Sequence, residues 1–224
     1  MNAIAENNFN EVCSQKTFLS FISETPDILA NIYEASCNIA VWKRTLCQSF
    51  LAQIASDIHQ NPLVNSVLSV SANSIEKDIE KIAFDKPYGK QLREYIAQDI
   101  DMFCVLFDAK EVGLRLSTLD KAMCPRFHVD HVPCRFITTF YGVGTQWLPH
   151  EKVNREKLGH GSKGLADDIS GLYSAQQDIQ QLNCGDVALL KGELWDDNEG
   201  AGLVHRSPAL GASEKRLVMT LDLV

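Results

Sequence analysis

No run of about 18 apolar residues occurs anywhere in the 224-residue sequence, so no segment is expected to span a membrane. The opening Met1-Asn2-Ala3-Ile4-Ala5-Glu6 has neither a basic start nor an apolar stretch behind it, which argues against a secretory leader. Positive charge is in deficit. With 21 Lys and Arg against 29 Asp and Glu the net charge is −8, and no global field draws the chain toward nucleic acid or an anionic membrane. The seven cysteines are an odd number and include no C-x-x-C pair, which fits reduced thiols in a cytoplasmic protein better than a disulfide framework. Also missing are internal repeats, low-complexity tracts, a P-loop, a dinucleotide fingerprint and a G-x-S-x-G elbow.

What remains is ordinary globular material, 45% hydrophobic and 22% charged, enough for one domain with an adequate core. Residues 1–110 read as mainly helical. Thr25-Pro26 opens a helix bearing Ile28, Leu29, Ile32 and Tyr33, a second carries Leu46, Phe50, Leu51 and Ile54, and the longest runs from Leu92 to Phe107. Short strands are expected at Ile39–Trp42 and Val64–Val70. From residue 111 to 224 the pattern changes to strands at Val112–Thr118, Arg135–Tyr141, Val187–Leu190, Leu203–Arg206 and Arg216–Leu223, which suggests a sandwich, jelly roll or barrel. Asn154–Ser174 is expected to be a long loop over one mouth.

The segment Cys124-Pro125-Arg126-Phe127-His128-Val129-Asp130-His131-Val132-Pro133-Cys134 is the richest in chemistry. In extended chain, residues two apart share a side, so His128 and Asp130 can aim at one point. His205, on a later strand, can supply a third ligand. Two imidazoles and one carboxylate leave open positions on an octahedral metal, the arrangement suited to non-haem iron(II). An alternative set, Cys124, His128, His131 and Cys134, has zinc-like ligand types in a compact knuckle. The other cysteines, Cys13, Cys37, Cys47, Cys104 and Cys184, read as small buried hydrophobes. Six of the eight arginines lie beyond residue 110, and arginine's planar fork suits carboxylates and phosphates. Arg216 shares a strand face with Val218 and Thr220, opposite Leu217, Met219 and Leu221. If that face is interior, the guanidinium needs an anion.

The ordered set His128-x-Asp130, His205 and Arg216 resembles the H-x-D…H…R signature of iron(II)/2-oxoglutarate-dependent dioxygenases. Arg135–Tyr141 followed by Gly142-Val143-Gly144-Thr145-Gln146-Trp147 resembles the strand and glycine-rich turn of prolyl-hydroxylase-like members, and Gly185–Leu190 the strand before their distal histidine. More narrowly, CPRFHVDH, YGVGTQWL, GDVALLKGE and VHRSP resemble a bacterial family known as domain of unknown function 1826.

The resemblance implies an α+β protein, a double-stranded β-helix (jelly roll, cupin-like) over about 111–224 with the mainly helical part packed on one sheet. It implies iron(II) held by His128, Asp130 and His205, 2-oxoglutarate as cosubstrate paired with Arg216, and oxygenase activity on a small-molecule or peptide substrate. Arg126, Arg135, Tyr141, Trp147 and Arg206 are candidates for supporting or substrate contacts. The competing expectation is a non-catalytic cupin-like protein that senses, stores or delivers zinc or another divalent ion.

Overall fold

The computed structural model describes residues 17–61 and 63–224, so Cys13 lies outside it. Among these residues ten strands form: β1 (Leu19–Ser23), β2 (Cys37–Trp42), β3 (Asn65–Ser71), β4 (Glu111–Leu119), β5 (Cys134–Tyr141), β6 (Gln146–Leu148), β7 (Gln180–Gln181), β8 (Val187–Lys191), β9 (Val204–Arg206) and β10 (Arg216–Leu223). Three α-helices accompany them among the described residues: α1 (Gln48–Asp57), α2 (Ile75–Ile79) and α3 (Gly89–Phe107). Pro26–Tyr33 winds as a 3-10 helix, where the apolar spacing predicts an α-helix.

Seven strands make one open, mixed sheet in the order β1-β2-β8-β5-β10-β4-β3. Every pairing in it is antiparallel except β1 with β2. A short second sheet runs β7-β6-β9 and is extended by a bridge between His128 and His205. The described strands do not close into a barrel. The fold is therefore α+β with a large open sheet, and β1, β2 and β3, from before residue 111, occupy both of its edges. Of these, β1 had no counterpart among the expected strands.

Alternation along β10 decides which face does what. Leu217, Met219 and Leu221 point to one side, where they join Leu92, Ile96, Ile100 and Phe103 of α3 in the main core. Burying each such side chain stabilises the fold by about 2 kcal/mol. Arg216, Val218 and Thr220 point the other way, into the space facing the second sheet. Between the sheets a smaller core packs Ile39, Val41, Ile137, Trp147, Leu190 and Val218. The helix layer is also tied to the large sheet by Arg44, whose guanidinium reaches Asp99 of α3 at 2.6 Å and Thr138 of β5 at 3.1 Å.

The 154–174 stretch forms short 3-10 turns, and its Leu172 and Tyr173 pack with Phe127, Leu148 and Val204. These residues belong to the outer face of the second sheet, so this stretch backs the sheet where a loop over a mouth was expected. No helix among the described residues is long and apolar enough to cross a membrane.

Candidate functional site

His128 and His205 face each other as a bonded antiparallel pair, each backbone N–H donating to the other's carbonyl at 3.0 Å. That pairing sets the two rings side by side, 4.6 Å between centroids. Each ring is also oriented from behind. His128 Nδ1 lies 2.9 Å from the Arg126 carbonyl, and His205 Nδ1 lies 3.2 Å from the Leu203 carbonyl. A carbonyl can only accept, so Nδ1 carries the proton in both rings and Nε2 is left with its lone pair.

Both Nε2 atoms point at Asp130, at 3.6 Å from His128 and 3.2 Å from His205. A lone pair aimed at a carboxylate oxygen is repulsive. The geometry is satisfied only by a second proton on the imidazole or by a cation between the three groups. Candidate ligand atoms of His128, Asp130 and His205 all lie within 4.8 Å of one another, and no other such group of three occurs among the described residues. Burial disfavours the Asp130 charge, yet contacts from His128, His205 and Arg135 outweigh it and hold the carboxyl far below the usual carboxylate range. Its Oδ2 lies 2.8 Å from Arg135 but accepts no well-aligned hydrogen bond. Opposite this segment sits Gly192, where a Cβ would come within 2.0 Å of the Val132 carbonyl, so only glycine lets the end of β8 lie this close.

Arg216 is 1% exposed. Its Nη1 donates to Ser207 at 2.9 Å and its Nη2 to Thr139 and Thr145 at 3.2 Å each. Five N–H donors are available and three are used, leaving two, Nε–H among them, without a partner among the described residues. No carboxylate among the described residues reaches it, and burial alone pushes the guanidinium down to about 10. Gly142, at φ +85, passes so close to Arg216 that a Cβ would lie 2.3 Å from the Lys215 carbonyl. Arg216, Thr145, Ser207, His128 and His205 all line one cavity of about 230 Å³.

The remaining predicted residues divide. Arg135 lines that cavity, bound bidentately to Asp222 at 2.8 Å on both arms and facing Asp130. Tyr141 packs on the helix side of the sheet, and Trp147 is buried in the inter-sheet core, opposite His205 in the β6–β9 ladder. Neither lines the cavity. Arg126 and Arg206 are both held by Asp167, at 2.7 and 3.3 Å, and Arg206 also lies over the Phe127 ring. The zinc knuckle does not form: Cys134 is fully buried in the helix-facing core, His131 is exposed, and Cys124 lines the cavity. Cys47 is exposed at the start of α1, not buried, and the Ser49 hydroxyl beside it brings its thiol down to about 7.

Asp167 is the residue that sequence reasoning missed. Its Oδ2 accepts the Phe127 backbone N–H at 2.9 Å, next to His128, while Arg206 is next to His205. One buried carboxylate thus clamps the neighbours of both histidines. The only sequence signal was an acidic pair, Asp167-Asp168, in a stretch read as loop.

The fold is similar to that of solved dioxygenase structures. The rice dioxygenase for auxin oxidation superposes with a TM-score of 0.52 at 9% identity, covering 93% of this chain and 83% of that one. Dioxygenase for auxin oxidation 1 from Arabidopsis thaliana, solved with 2-oxoglutarate, gives 0.51 at 9% identity over 93% and 92%. Identity this low shows the shared fold alone. The chain belongs to the family described as "Protein of unknown function (DUF1826)", whose model matches residues 23–222. No curated protein matches it.

Proposed function

We propose that this protein is an iron(II)- and 2-oxoglutarate-dependent oxygenase. The observation that carries the reading is Arg216, a buried guanidinium without a carboxylate among the described residues, lining the same cavity as His128 and His205, the two histidines grouped with Asp130. A structural arginine would be expected to have an acidic partner, since an unpaired buried charge costs several kcal/mol. A bound dicarboxylate would supply one. The order β4-β10-β5-β8 in one sheet, facing β7-β6-β9 and the His128 segment, supports a jelly-roll core.

The donor set fits the metal. His128 and His205 would give Nε2 lone pairs and Asp130 an anionic oxygen, a two-histidine, one-carboxylate set suited to non-haem iron(II). Bound iron(II) with 2-oxoglutarate supplies dioxygen activation coupled to decarboxylation of the cosubstrate. The chain's own residues then do the rest. Arg216 holds the distal carboxylate, Ser207 and Thr145 fix the guanidinium, and Ile137, Val218 and Leu119 give the cavity an apolar wall that keeps water scarce. Zinc would bind the same three ligands, but a zinc carrier has no use for Arg216.

The test is anaerobic titration of iron-loaded protein with 2-oxoglutarate. Arg216→Met should weaken binding by roughly ten- to a hundredfold while metal affinity holds. Wild type that binds iron through the three ligands yet ignores 2-oxoglutarate would make the protein a metal carrier instead.

A further inference from the structure

Three arginines line the cavity, Arg115, Arg135 and Arg216. Arg135 is neutralised by Asp222 and Asp130, and Arg216 is wrapped by hydroxyls. Arg115, on β4, is exposed, and its side chain makes no hydrogen bond or ion pair with any described residue. Directly opposite it in the β4–β10 ladder stands Thr220, half-buried, its hydroxyl likewise without a hydrogen-bonding partner among the described residues. Thr220 is in turn opposite Ile137 of β5. Strands lie about 4.8 Å apart, so the Arg115 backbone is about 10 Å across the sheet from that of Ile137, beside which Arg135 reaches Asp130. Along β10, the four residue steps from Arg216 to Thr220 span about 13 Å. The Arg216 guanidinium is held by Ser207, Thr139 and Thr145, so the two arginines start from opposite ends of this stretch of β10. Between the two charged positions the wall is apolar, with Leu119, Val218 and Ile137.

We propose that Arg115 and Thr220 form an anion subsite for the substrate, a small molecule with a short apolar body and a carboxylate or phosphate at its far end. The proposal rests on the oxygenase reading, in which 2-oxoglutarate occupies Arg216 and leaves Arg115 free. The charge tally agrees. With iron(II) (+2) and 2-oxoglutarate (−2) bound, Asp130 and Asp222 offset two of the three arginines, and one positive charge, that of Arg115, is left. A guanidinium fork and an adjacent hydroxyl match two oxygens of a carboxylate or phosphate. A cavity of about 230 Å³ limits what can sit within it to small groups.

The probes are 4-methylpentanoate and isopentyl phosphate, with 4-methylpentanamide as the neutral control. They are titrated onto full-length zinc-loaded protein saturated with 2-oxoglutarate and followed by saturation-transfer NMR. The acid or the phosphate should bind at least about tenfold more tightly than the amide, and whichever binds better identifies the headgroup. Arg115→Gln should abolish the preference and Thr220→Val should reduce it. Arg115 is exposed, so its variant should melt like wild type. An acid and phosphate that bind no better than the amide, or an unchanged preference in Arg115→Gln, overturn the subsite.

Titrating 2-oxoglutarate itself separates this from the parent reading. If Arg115→Gln loses 2-oxoglutarate and Arg216→Met keeps it, Arg115 is the cosubstrate anchor, and the subsite falls while the oxygenase stands. If no form binds 2-oxoglutarate, the oxygenase reading falls. The subsite is then decided by the same acid–amide comparison in an Arg216→Met background, with and without Arg115→Gln.

Discussion

At Nε2 of His128 a proton and a divalent cation compete for the same lone pair. The hydrogen bond with Asp130 raises the His128 pKa above 6.5, against the opposing effect of burial. Metal affinity should therefore fall about tenfold for each pH unit below that raised value, a dependence that zinc titration against a chelator at several pH values would measure. For the metal-free protein the signs differ by group. A raised histidine stabilises the fold below its unfolded value of 6.5 and loses this as pH rises through the folded value. A depressed Asp130 contributes above 3.8 and loses this as pH falls. Both contributions overlap between about pH 4 and 6.5. Metal-free protein should melt highest in that window, and chelated protein whose melting temperature instead climbs steadily to pH 8 would contradict the pairing. At this scale the sequence was informative where spacing encodes direction. H-x-D on extended chain put His128 and Asp130 together, and alternation put Arg216 on an interior face. It was silent on Asp167, because a contact across forty residues leaves no periodicity to read.

At the scale of elements, the second sheet is too short to hold the site unaided. β6 and β9 have three residues each, and the His128 strand is a single bridge. Asp167 supplies what the ladder lacks by fastening Arg126 and Phe127 to Arg206. Asp167→Asn keeps the shape and removes the charge. It should lower metal affinity by roughly tenfold, the scale of outer contacts that orient ligands, while α3 and the large sheet keep their far-ultraviolet signal. An unchanged zinc dissociation constant would reduce Asp167 to a loop anchor. Long, periodic elements such as α3 and β10 were legible because their stripes of Leu, Ile and Phe run for many residues. Pro26–Tyr33 shows the same spacing and yet forms a 3-10 helix. β1 was missed for a different reason: Leu19-Ser20-Phe21-Ile22-Ser23 lies at the sheet edge, with Leu19 and Ile22 exposed, and so lacks a clean apolar face. Its parallel pairing with β2 depends on the intervening 3-10 helix as a crossover, which the strand pattern does not announce.

At the scale of the whole molecule, the openness of the large sheet has a consequence for solubility on heating. β3 ends the sheet, and its seven residues, Asn65-Ser66-Val67-Leu68-Ser69-Val70-Ser71, contain no charge and no proline. Val67 is 71% exposed on it. Among the described residues nothing pairs with its outer edge, and an uncharged free strand offers its N–H and C=O row as a template for another chain. The net charge of −8 keeps folded molecules apart at a distance, but it is screened beyond about 8 Å at physiological salt. Local protection has to come from the strand. Ser69 is exposed and bonded to the Glu111 carboxylate, so Ser69→Lys would place a charge on the edge beside an existing counter-charge. Folding stability should change by no more than about 0.5 kcal/mol. Light scattering during a slow thermal ramp should begin at a higher temperature in Ser69→Lys than in wild type, and more so as salt is added. The same onset in both proteins would mean that clustering on heating starts elsewhere on the chain.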